Sequence, residues 1–171
     1  MQRGFNALIL LVALASHASA ESGSNYEIVA RLTQAPGNVT VTGTGRIIMS
    51  QHQFYEPKYS VMERQGDGSL TPFPSEVLND RQSHSDLTLD SVLGIRTDVN
   101  GVVWMLDDGM RSGVEPKLIG WDTKADKLHR VIYLPAPIAP KDAFVNDFTV
   151  DSRHNRIFVR GGAIVGHGAA A

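Results

Sequence analysis

The chain contains no cysteine, which excludes disulfides, thiolate nucleophiles and cysteine-ligated zinc. In an oxidising compartment, packing alone must hold such a fold. It also lacks any cluster of lysine and arginine. Its 16 basic residues face 18 acidic ones, for a formal net charge of −2, and a nucleic-acid partner, which calls for a basic face, is not expected. No long apolar run follows the first twenty residues, so no membrane partner is expected once they are removed. No stretch of the remainder has a convincing helical period. A Gly-x-Ser-x-Gly nucleophile elbow, a phosphate-cradling glycine loop and a His-x₃-His zinc pair are all missing.

What is present begins with an export signal over residues 1–20. Arg3 supplies the positive start, and Ala7 to Ala15 forms an apolar run about half the length of a spanning helix. Ala18-Ser19-Ala20 puts small residues where a signal peptidase reads. An uncleaved anchor or a buried helix is the alternative. Cleavage before Glu21 removes 20 of the 171 residues and leaves 151; with Arg3 gone, 15 basic residues face 18 acidic ones and the net charge is −3. The expected location is secreted or periplasmic. Residues 21–34 read as a linker and lead-in strand.

Beyond that lie short β-branched and aromatic runs punctuated by Gly, Asn, Asp and Pro, the pattern of an all-β chain. Strands are expected at Val39–Thr42, Arg46–Ser50, Lys58–Arg64 and Leu70–Phe73, and the order recurs at Val92–Thr97, Val102–Leu106, Lys117–Asp122 and Leu128–Leu134. A third copy starts at Phe144 and continues at Arg156–Val159. The turn residues Gly45, Gly101 and Asn155 are 56 and 54 positions apart. About four strands per unit at a period in the fifties point to a β-propeller of four-stranded blades. A β-sandwich with similar hairpins is the alternative. The blades are expected at about 35–75, 88–135 and 143–160, and the partial propeller at 35–160.

The tail 161–171, GGAIVGHGAAA, is Gly/Ala-rich and lacks strand alternation. Since a propeller closes with about four to eight blades, two and a half blades read as an incomplete ring. The candidate explanations are a truncated product, a fragment of a longer gene, or one part of an assembly, with truncation ranked first. The last blade should present an unpaired edge and an uncovered apolar face, and so a route to self-association.

The segments GNVTVTGTGRIIMSQHQFYEP, LDSVLGIRTDVNGVVWMLDDG, PKLIGWDTKADKLHRVIYLPAPIAP and FVNDFTVD resemble the bacterial branch of the major royal jelly protein / yellow family. The likeness runs from about Ala35 to about Val159 and is most specific from Leu89 to Asp151. It implies a secreted six-bladed propeller, and a complete protein roughly twice this length. Insect members are linked to pigmentation, nutrition or the binding of small amines. A more distant likeness connects Asn146 to Asp151 with strand starts of gluconolactonase-type propellers, whose inner strands hold a divalent metal on the ring axis. Those proteins also carry an acidic ligand in the first blade, where Gly37-Asn38-Val39-Thr40 offers no carboxylate here.

In a propeller the first strand of each blade lines the channel, so polar residues where these strands begin are the candidates for ligand contact: Asn38, Asp90, Asn146 and Asp147. Asn146 and Asp147 offer oxygen atoms suited to Ca²⁺. The plainer reading is that they cap turns near the axis. His52, just after a strand, is the histidine best placed for the channel mouth; His129 and His154 read as solvated. Asp107-Asp108-Gly109 either helps to hold calcium or forms an Asx turn. Asn38-Val39-Thr40 fits the short N-glycosylation pattern. Trp104, Trp121, Phe144 and Phe148 read as inter-blade core, and Pro135, Pro137 and Pro140 as the stiff passage between blades. Three functions are consistent with this: a propeller binding a small ligand at the channel mouth, a calcium-dependent lactonase-like hydrolase using Asn146 and Asp147, and a fragment without function.

Overall fold

Alternating β-branched and aromatic residues closed off by Gly, Asn and Asp become strands in the computed structural model, which describes residues 27–83, 85–140 and 143–163. The expected signal segment, His84 and the tail beyond Ala163 lie outside the described residues. Within them are ten strands, three single-turn 3-10 helices and no α-helix. Strands β1 (Pro36–Val41), β2 (Ile47–Gln51), β3 (Val61–Arg64) and β4 (Leu70–Pro72) form one antiparallel sheet in chain order. Strands β5 (Val92–Thr97), β6 (Val102–Asp107), β7 (Lys117–Asp122) and β8 (Lys127–Tyr133) form a second. Strands β9 (Ala143–Asp151) and β10 (Arg156–Ala163) pair as a third. Residues 27–35 contain no strand, so the expected lead-in strand is not found there.

The three aligned turn residues share a backbone conformation. Gly45, Gly101 and Asn155 all have positive φ, at 85°, 89° and 51°, the left-handed region that glycine and asparagine enter most readily. The first strand of each sheet also carries a register shift. One lies between Pro36 and Asn38, one between Val92 and Ile95, and one opposite Arg160/Gly161, where Asn146 is the extra residue. Bulges of this kind increase twist and terminate flat pairing. The last of them also explains a correction: β10 does not stop at Arg160 but runs through Gly161 and Gly162 to Ala163. Glycine removes side-chain alternation from the sequence, yet its backbone pairs normally.

Side chains alternate across each sheet, and the alternation shows how the sheets stack. On one face of the second sheet Val103, Met105, Ile95 and Ile119 join Ile48, Val61 and Phe73 of the first sheet in one core. On the other face Val102, Trp104, Leu106 and Leu118 join Val145 and Phe148 of the third. Every residue of β6 is therefore buried, as expected of a sheet covered on both sides. The inner strands also meet directly. Thr97 N donates to Thr40 Oγ1 at 2.9 Å and Ser50 Oγ to the Leu93 carbonyl at 2.7 Å. Arg96 Nε donates to the Phe148 carbonyl at 2.8 Å. A Cβ at Gly94 would lie 3.0 Å from the Asn146 carbonyl oxygen, so glycine permits β5 to approach β9 this closely. Successive sheets packed face to face, with their first strands adjacent, are propeller blades. A sandwich, with two sheets sharing one interior, is excluded.

Candidate functional site

Antiparallel register collects residues 88–92, 107–117 and 133–140 at one end of the second sheet: Val92 lies opposite Asp107, Asp107 opposite Lys117, and Lys117 opposite Tyr133. This is the end at which β5 and β9 begin, and it concentrates buried charge. Asp107 is fully buried. Its carboxylate accepts from the backbone N–H of Asp90 (2.9 Å), Ser91 (2.8 Å) and Gly109 (3.0 Å), and from Lys117 Nζ at 3.0 Å. Asp90, also buried, accepts from Arg111 N, Ser112 N and Ser112 Oγ, with Arg81 Nε 3.8 Å away. These two carboxylates are saturated by donors, and their role is to fix the loops.

Asp108 differs. It is 3% exposed, and its Oδ1 accepts from Met110 N at 3.0 Å, while its Oδ2 is buried without a hydrogen-bond partner. The nearby Ser91 hydroxyl is turned toward Gln53. Burial pushes the Asp108 carboxyl up to about 6; the Met110 N–H holds it back in part, and Asp107 and Asp90 add a smaller upward push. Asp108 borders a cavity of about 600 Å³ whose remaining wall includes Met110, Glu115, Pro116, Pro135, Ala139 and Pro140. One side is acidic and the other apolar. The loop that shapes it is tightly built. Gly109 has φ +66°, and a Cβ there would lie 2.1 Å from the Val114 carbonyl oxygen.

The raised carboxyl has a consequence for stability. Asp108 favours the native state when neutral, so its contribution is complete below its unfolded pKa of 3.8 and is lost as pH rises through about 6. The loss amounts to at most about 3 kcal/mol. Asp108→Asn should therefore gain stability relative to the parent as pH rises from 4 to 7, measured as the difference in urea midpoints.

The other sequence candidates are placed as follows. Asn146 is an exposed bulge residue in the middle of β9, not at its start. Asp147 Oδ1 accepts from Phe148 N at 2.8 Å and lies 3.5 Å from Arg96 Nη2. Among the described residues no group of three or more His, Asp or Glu side chains is arranged to hold a metal ion. His52 caps the 3-10 turn Gln53–Tyr55, accepting from Phe54 N through Nδ1, and its ring packs on Phe54 at 4.4 Å. Asn38 Oδ1 accepts from Val39 N. Asp107 and Asp108 each close an Asx turn, onto Gly109 N and Met110 N. Asp90 thus lies within the candidate region as a brace, while Asn146, Asp147 and His52 do not line the Asp108 cavity. Two adjacent acids directly after the apolar run Val102–Leu106 were the sequence signal for this site. The connector that buries one of them is remote in sequence, and so the signal was weak.

Among curated proteins none matches the chain. The sequence model of the family described as major royal jelly protein matches residues 90–163, the span from Asp90 at the head of β5 to the last residue of β10. The second blade and the third sheet are thus similar in sequence to the major royal jelly protein family, a propeller family, in line with the stacked sheets.

Proposed function

We propose that this protein is an exported propeller that binds a small organic molecule in the cavity beside Asp108. The observation that carries the reading is the buried, unpartnered Asp108 Oδ2 of a residue that borders a cavity of about 600 Å³. That volume falls within the range of small-molecule pockets. A buried acceptor without a donor is costly, and a ligand N–H or O–H relieves the cost. The proline and alanine wall supplies apolar contact for the rest of the molecule. A protonated amine on a compact apolar body satisfies both sides at once. Export is supported by the charged, apolar and small-residue pattern of residues 1–20.

Calorimetric titration with benzylamine or cyclohexylamine tests this. Binding is expected at pH 7.5, weakening as Asp108 becomes protonated near pH 6, and lost in Asp108→Asn. Neutral benzyl alcohol should bind more weakly. Equal binding of amine and alcohol, or binding unaffected by Asp108→Asn, would contradict the proposed site.

A further inference from the structure

The chain has five methionines and no cysteine, so reversible oxidation of a side-chain sulfur can fall only on methionine. Met1 lies outside the described residues. Met49 and Met105 are 2% and 0% exposed, and Met62 is half-buried. Met49 and Met62 are paired across β2 and β3, and Met105 belongs to the core between the first two sheets. Met110 differs from all of these. It is 44% exposed and borders the cavity beside Asp108.

The backbone around Met110 is pinned, which keeps the residue at the rim of that cavity. Its own N–H donates to Asp108 Oδ1 at 3.0 Å. The next two N–H groups, of Arg111 and Ser112, donate to Asp90 Oδ2 at 2.9 and 3.0 Å. Gly113 N and Val114 N both donate to the Gly109 carbonyl, at 2.9 and 3.1 Å, so the loop closes on itself. Both anchoring carboxylates belong to buried residues. A shift that drew Met110 inward would break these bonds together.

We propose that Met110 is a site of reversible oxidation by peroxide, and that its sulfoxide weakens the binding of an apolar amine in the adjoining cavity. The peroxide O–O bond breaks as an S–O bond forms. The sulfur gives up two electrons, and the second peroxide oxygen leaves as water. A flexible, polarizable thioether that packs well on apolar surfaces becomes a polar, chiral group. The sulfoxide oxygen accepts hydrogen bonds and holds water where the thioether offered apolar contact. A methionine sulfoxide reductase reverses the change. The choice of Met110 rests on exposure; the effect on binding rests on the cavity being the amine site.

The full chain is treated with dilute hydrogen peroxide, and the four described methionines are ranked by peptide mass mapping. Benzylamine is titrated calorimetrically before and after. Met110 should oxidise first, Met62 next, and Met49 and Met105 last. Benzylamine should bind about tenfold more weakly once Met110 is oxidised, the order of effect of one altered apolar contact, and reductase treatment should restore it. In Met110→Leu the affinity should be the same before and after peroxide. Oxidation of Met49, Met62 or Met105 as fast as Met110 overturns the proposal. So does unchanged affinity after Met110 is oxidised, or a loss of binding that persists in Met110→Leu. If benzylamine fails to bind before peroxide, the amine reading and the effect on binding fall together, while the ranking of the methionines still decides the oxidation site.

Discussion

Replacing Asp107 with alanine is expected to destabilise the protein by about 4 kcal/mol or more, since breaking a buried ion pair from one side costs about 3–5 kcal/mol. The side chain is fully buried and receives three backbone N–H groups in addition to Lys117, itself 1% exposed. Its removal strands a buried ammonium and frees the loops that begin β5 and follow β6. Lys117→Met should cost less, because three N–H donors still compensate the remaining carboxylate. That ranking separates a carboxylate that organises backbone from a simple ion pair. Urea unfolding followed by tryptophan fluorescence measures both. A cost for Asp107→Ala equal to or below that for Lys117→Met would contradict the assignment. Domains are commonly stable by only about 5–15 kcal/mol, so the alanine variant should also accumulate poorly.

Replacing Trp104 with alanine should cost about 3–5 kcal/mol, the range for removing a large aromatic from a core. The ring lies over Gly120, where a Cβ would come within 2.9 Å of it, and its centroid is 5.7 Å from that of His129 in an edge-on contact. It belongs to the cluster that joins the second blade to the third sheet through Leu118, Val145 and Phe148. Trp104→Phe retains most of the apolar area and loses the Nε1–H bond to Asp98 at 3.0 Å, so about 1 kcal/mol is expected. Because the lesion opens the contact between sheets, hydrogen exchange should accelerate in β9 and β10 well before β2 and β3. Uniform acceleration across all strands would show that the blades do not form separable interfaces.

Strand boundaries were legible where turn residues flank β-branched runs. Val92–Thr97 and Lys117–Asp122 coincide with the sequence expectation residue for residue. The repeat was legible because a hairpin turn needs a left-handed residue at the same point in each blade, and Gly45, Gly101 and Asn155 meet that need. The end of β10 was not, since Gly161 and Gly162 carry no side chains to alternate. The site was less legible than the fold. Asp90 and Asp107 could be named as polar residues at strand ends, but their saturation by Ser112, Arg111 and Lys117 depends on loops meeting in space. Asp108 stands out only once its partnerless oxygen and the wall from Pro135 to Pro140 are seen together. Burial of a single carboxylate is a property of packing, and no local pattern encodes it.

The central claim is that the sheets stack with their inner strands side by side, and the absence of native cysteine permits a direct test. Thr40 Oγ1 of β1 and Thr97 Oγ1 of β5 are 2.9 Å apart across the first interface. In the double variant Thr40→Cys/Thr97→Cys, mild oxidation of the folded protein should give a near-quantitative intramolecular disulfide, read by mass spectrometry, with little formed when oxidation is done in denaturant and each single variant left uncrosslinked within the chain. Failure of the folded double variant to crosslink, with both thiols still free to react, would mean that β1 and β5 are not neighbours and that the blades are not stacked.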